Sequence, residues 1–124
     1  LVSSSAASDV YKRQVSYSKF SKKNILKIDE SELDNYSTVS EEITIKMAES
    51  VKQKLKTDYS IAITGNAGPN VDSPETNLGD CFVAIMSDNE IFCQKFQFDC
   101  NREDFIKLAT NSSFQLFLDK IIKQ

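Results

Sequence analysis

The apolar alternation Tyr59-Ser60-Ile61-Ala62-Ile63 runs directly into Thr64-Gly65-Asn66-Ala67-Gly68-Pro69. A β-branched, half-buried strand that breaks into a Gly-x-x-Gly-Pro turn puts a threonine hydroxyl and backbone N–H groups at one strand end. Open α/β sheets bind ligands at such a strand end. A plain turn would use the same residues, with Gly65 supplying a positive φ and Pro69 fixing the exit. The rest of the chain decides between these readings.

Six further segments carry a secondary-structure signal. Val15-Ser16-Tyr17-Ser18 reads as the end of a strand, and Lys19 to Leu26 as a short helix with Phe20, Ile25 and Leu26 on its apolar side. The clearest helix opens at Ser40-Glu41-Glu42: a capping hydroxyl, two glutamates at the positive end of the dipole, then Ile43, Met47, Val51 and Leu55 at four-residue spacing. Thr38 with Glu41 offers a competing capping box. Cys81 to Met86 is a continuous apolar run, expected to be a strand buried on both faces. The Asp88-Asn89 turn then leads into a return strand, Ile91 to Phe98, with Phe92, Phe96 and Phe98 on one face and Cys93, Lys95 and Gln97 on the other. Asn101 caps a last helix over about 102–122, with Phe105, Leu108, Ala109, Ser112 and Leu116 on its buried stripe. Residues 69–80, rich in Pro, Asn, Asp and Ser, read as a long surface loop of the kind that often carries function. Helices interspersed among strands, with one hairpin, predict an α/β fold: a mixed β-sheet flanked by helices.

Composition narrows the chemistry. With 124 residues and 40% hydrophobic content the chain suffices for one domain. A net charge of −3 gives no global field for nucleic acid or an anionic membrane. Neither a membrane span nor a signal sequence is visible, and a cytoplasmic location is expected. The three cysteines form no CxxC pair and read as buried, reduced thiols, so structural zinc is not expected. No histidine is present, which removes Ser-His-Asp and Cys-His catalysis and the common zinc-hydrolase motif. A hydrolytic base would have to be a lysine, tyrosine or carboxylate.

Val15-x-Tyr17-Ser18-x-x-x-Lys22, Val39-Ser40-Glu41-Glu42 and Ile61-Ala62-Ile63-Thr64-Gly65-x-Ala67-Gly68-Pro69, in this order and spacing, resemble the C-terminal domain of the competence/damage-inducible protein CinA. Stand-alone members of that family are nicotinamide mononucleotide deamidases. The resemblance runs over residues 15–124 and implies hydrolysis of the nicotinamide carboxamide to nicotinic acid mononucleotide and ammonia, without a cofactor or metal. It implies a small-molecule substrate, neither nucleic acid nor membrane as partner, and compatibility with a homo-oligomer. It places a catalytic tyrosine at Tyr17, a lysine at Lys22 and the strand-end threonine at Thr64, with Gly65, Ala67 and Gly68 around the carboxamide and Arg102 on the phosphate. In these roles Lys22 would activate a hydroxyl nucleophile and Tyr17 would share its proton. Taken singly, Lys22 also reads as a solvated charge, Tyr17 as a core-edge residue and Arg102 as a helix-start ion pair.

The chain departs from that family in three places. Val71-Asp72 and Thr76-Asn77-Leu78-Gly79 stand where the family carries a glycine pair and Lys-Pro-Val-Gly, and Cys100-Asn101 replaces Gly-Asp before Arg102. The family's nucleophilic serine, in an Ala-Glu-Ser-x-Thr-Gly-Gly segment, has no counterpart. Residues 1–14, with Ser3, Ser4, Ser5 and Ser8, read as an unstructured tail foreign to the domain. The expectation is therefore an N-terminally incomplete domain of this type that does not release ammonia by itself. The alternatives are a non-catalytic member that binds nucleotides or proteins, and an unrelated α/β binding module that shares the turn.

Overall fold

A computed structural model describes residues 28, 29, 31, 39–68 and 77–123. The expected strand at Val15 to Ser18, the helix at Lys19 to Leu26, the tail over 1–14 and most of the loop after Pro69 lie outside these residues.

Helix α1 spans Glu41–Leu55, and Ser40 settles the choice of cap: its Oγ accepts from the Ile43 amide at 3.3 Å. Its buried residues are Ile43, Thr44, Met47 and Ala48, while Val51 and Leu55 are only half-buried. Residues four apart advance about 40° beyond a full turn at each step, so the expected stripe drifts off the core and Thr44 and Ala48 take it over. The helix ends at Lys56, in the left-handed region with φ 54.

The strands are β1 (Ser60–Gly65), β2 (Asp80–Met86) and β3 (Ile91–Gln97). They form one antiparallel sheet in the order β1-β2-β3, with Thr64 opposite Phe82 and Asp80 opposite Gln97. The hairpin expected at Asp88-Asn89 is present. Ser87 and Glu90 close it through a backbone bond of 2.9 Å, and Asp88 pairs with Lys52 in the last turn of α1. The sheet is flanked by helices on both faces, as an α/β fold requires. Among the described residues every strand pairing is antiparallel.

Helix α2 spans Arg102–Phe117 and continues into a π-helical turn, Leu118–Ile122, closed by the Lys123 amide on the Leu118 carbonyl at 2.9 Å. The Asn101 side chain caps α2 by accepting from the Asp104 amide at 2.8 Å. Phe105, Ala109, Ser113 and Leu116 are its buried stripe. Leu108, expected inside, is 41% exposed, and Ser112 is only half-buried. The stripe turns towards the i, i+4, i+8 and i+11 positions and leaves Leu108 on its shoulder.

The alternation of the strands divides the core in two. Ala62 and Ala84, with Ile28, Ile43, Met47 and Ala48, pack on the α1 face, and Cys81, Val83 and Ile85 pack with Phe105, Ala109 and Leu116 on the α2 face. β2 is the shared wall, with residues 80, 81 and 83–85 all buried. No helix among the described residues is long and apolar enough to cross a membrane.

Candidate functional site

α1 runs back along β1: Ser60, at the start of the strand, donates to the Ala48 carbonyl at 2.8 Å, and Thr64, near its end, meets Thr44. The start of α1, the end of β1 and the start of β2 therefore come together. A row of polar side chains gathers there. Thr44, Thr64, Asn66 and Asp80 are all buried, at 0, 7, 4 and 3% exposure. Side chains of this kind rarely enter a core without hydrogen-bond partners, so each one's bonds can be accounted for.

Thr44 Oγ1 lies 2.5 Å from the Ser40 carbonyl, which can only accept, so the Thr44 hydroxyl proton points there. Thr64 Oγ1 lies 3.1 Å from Thr44 Oγ1 and must be the donor in that pair. The polarity of Thr64 is fixed as a result: its proton is committed and its lone pairs remain. Asp80 is well partnered. Its carboxylate accepts from the Asn77 amide at 3.0 Å and Gln97 Nε2 at 2.8 Å, and Lys95 Nζ stands 3.8 Å away.

Asn66 differs. Its backbone extends the ladder past β1, its N–H on the Asp80 carbonyl and its C=O accepting from Gly79, both at 2.8 Å. One of the backbone N–H groups expected at this strand end is thus already paired. The side-chain Nδ2 is fully shielded and has no acceptor among the described residues. An unpaired buried amide costs about 1–3 kcal/mol. In the sequence Asn66 stands out only as an amide in a motif otherwise made of small residues.

The turn itself assigns its glycines differently from expectation. Gly68, not Gly65, holds the positive φ, at 85°. Gly65 is required for space, because a Cβ there would stand 2.6 Å from the Phe105 ring. Ala67 packs against the α2 core, and Arg102, the first residue of α2, donates from Nη1 to the Gly68 carbonyl at 3.3 Å. Thr64, Gly65, Ala67, Gly68 and Arg102 therefore occupy one end of the sheet, Thr64 turned to α1 and Arg102 arriving from the α2 side. Tyr17 and Lys22 lie outside the described residues.

The thiols are no nucleophiles in waiting. Burial pushes Cys81 up to about 12, and burial with the nearby Glu41 and Glu42 carboxylates pushes Cys93 up to about 11. Contrary to the expectation that all the thiols are buried, Cys93 is only half-buried, and Cys100 is exposed because it sits on the bend before α2. Among the described residues no three His, Cys, Asp or Glu side chains gather as a metal would need.

The CinA C-terminal domain profile matches residues 1–121. A CinA-like protein of Flavobacterium psychrophilum is 35% identical over 124 residues, 99% of this chain and 30% of that protein. One of Prochlorococcus marinus is 40% identical over 104 residues, 82% of this chain and 24% of that protein. The chain thus spans less than a third of the length of these relatives. Among solved structures, the competence-damaged protein (CinA) superfamily protein of Enterobacter cloacae superposes with a TM-score of 0.80 at 27% identity, covering 85% of this chain and 62% of that one. The competence or damage-inducible protein of Enterobacter asburiae does so with 0.80 at 28%, covering 84% and 65%. An unrelated module that merely shares the turn is excluded, and the chain belongs to the CinA C-terminal domain family.

Proposed function

We propose that this domain is the substrate-binding part of a cytoplasmic pyridine-nucleotide amidase, taking nicotinamide mononucleotide at the polar end of the sheet. The observation that carries the reading is the Gly65–Gly68 turn, held between the buried Thr44–Thr64 hydroxyl pair on the α1 side and the Arg102 guanidinium on the α2 side. A mononucleotide needs both halves: a shielded polar group to orient its carboxamide and a cation to meet its phosphate. Family membership and the Thr-Gly-x-Ala-Gly-Pro motif support the same reading.

Hydrolysis also needs a hydroxyl held at attack distance from the carboxamide carbon, and such positioning contributes on the order of 7–11 kcal/mol to lowering the barrier. The 124 residues contain no Ala-Glu-Ser-x-Thr-Gly-Gly segment to hold one, so this chain is expected to bind without releasing ammonia. The test is calorimetric titration with nicotinamide mononucleotide, beside an ammonia-release assay on this chain and on a version with that segment supplied. Binding by both and turnover only by the second is the expected pattern. Absence of binding by either chain removes the reading. Turnover by the first that survives replacing Ser3, Ser4, Ser5 and Ser8 by alanine shows that the nucleophile lies elsewhere.

A further inference from the structure

We propose that Thr64 and Asn66 form a reading pair for a carboxamide that accepts the amide substrate and rejects the carboxylic acid made from it; this rests on the reading above and deepens it. Thr64, its proton given to Thr44 and through it tied to the Ser40 carbonyl, presents only lone pairs. Two residues on, Asn66 presents an Nδ2–H that nothing among the described residues accepts. A primary carboxamide offers the complement: an N–H for Thr64 and a carbonyl oxygen for Asn66. A carboxylate offers acceptors only, so its second oxygen would meet the lone pairs of Thr64.

The backbone beneath both groups is fixed. Thr64 lies within β1, and the backbone of Asn66 is bonded on both sides to residues 79 and 80. Asp80 does not need the Asn66 amide, because Asn77, Gln97 and Lys95 already serve its carboxylate. Ligand entry requires the side chains that shield Nδ2 to part, and exclusion of water afterwards strengthens the new bond.

The experiment measures the affinities of nicotinamide mononucleotide and nicotinic acid mononucleotide by calorimetry, with thermal melting of each variant. The native chain is expected to prefer the amide by about tenfold or more. Asn66→Leu, which replaces an unpaired amide by an apolar group of similar size, should weaken amide binding about tenfold without lowering the melting temperature. Thr44→Val frees the Thr64 proton to turn towards a ligand, so it should improve binding of the acid and narrow the preference from that side. Equal native affinities, or an Asn66→Leu chain that binds normally but melts earlier, would overturn the pair and leave Asn66 a structural residue. If the native chain binds neither nucleotide, the broader reading fails and the pair with it.

Discussion

A hydroxyl has one proton, and at Thr44 it is spent on the Ser40 carbonyl; a buried thiol likewise keeps its single proton where an exposed one would release it. Cys81 and Cys93 are protonated well above the range in which an unfolded thiol titrates, raised from 9.0 to about 12 and about 11. In the unfolded chain both ionise near pH 9, so between that point and the folded values the native state binds more protons. The stability these thiols contribute is complete below pH 9 and is lost as pH rises towards 11 and 12. Denaturant unfolding at pH 8 and pH 10.5 is expected to show a larger fall in stability for the native chain than for Cys81→Ala. An equal fall in both would mean that Cys81 is not shielded. Cys100 shows why such features escape a sequence reading. Three cysteines without a motif look alike in the sequence, and only the bend ahead of α2 sets one of them apart by exposing it.

At the scale of elements, the helices and strands of the described residues were largely legible. The Ser40 and Asn101 caps fall where side-chain chemistry demands, and the apolar run with its Asp88-Asn89 turn gives the antiparallel hairpin. The part that was not legible depends on how elements approach one another. Gly65 looks like a turn glycine in sequence, yet it is a strand residue over which the Phe105 ring of α2 closes. Gly65→Ala therefore forces the ring, and α2 with it, away from the sheet at a cost of about 1–3 kcal/mol. In Gly65→Ala/Phe105→Leu the smaller side chain makes room, so the double variant should lose less stability than the sum of the two single changes. Chemical denaturation of the four chains measures the coupling, and simple additivity would mean that the glycine serves the backbone rather than the contact. Asn66 and Asp80 were hidden for the same reason. Their burial and pairing arise across β1 and β2, between residues 14 apart in sequence, and no local period reports such a pairing.

Across the whole molecule the two covers of the sheet have different offices at the ligand end. The α1 side supplies buried hydroxyls and the end of β1 an amide; the α2 side supplies an exposed guanidinium, clasped to the turn through the Gly68 carbonyl. The molecule as a whole does not favour an anion. Its net charge is −3, and Glu103 and Asp104 occupy the first turn of α2, where the dipole would otherwise draw a phosphate. On the proposed reading Arg102 is then the local cation that lets a phosphate approach against that field, and its contribution should appear only when the ligand has one. Arg102→Ala is expected to weaken nicotinamide mononucleotide binding by roughly 10- to 100-fold, as for loss of a hydrogen bond to a charged group, while leaving the phosphate-free nicotinamide riboside unchanged. Raising salt should narrow the difference between the native chain and the variant, because it screens an exposed ion pair more than a buried hydrogen bond. Equal losses for both ligands would mean that Arg102 acts by holding the Gly68 turn in place. That result would move the phosphate away from the start of α2 while leaving the carboxamide end of the site where Thr64 and Asn66 put it.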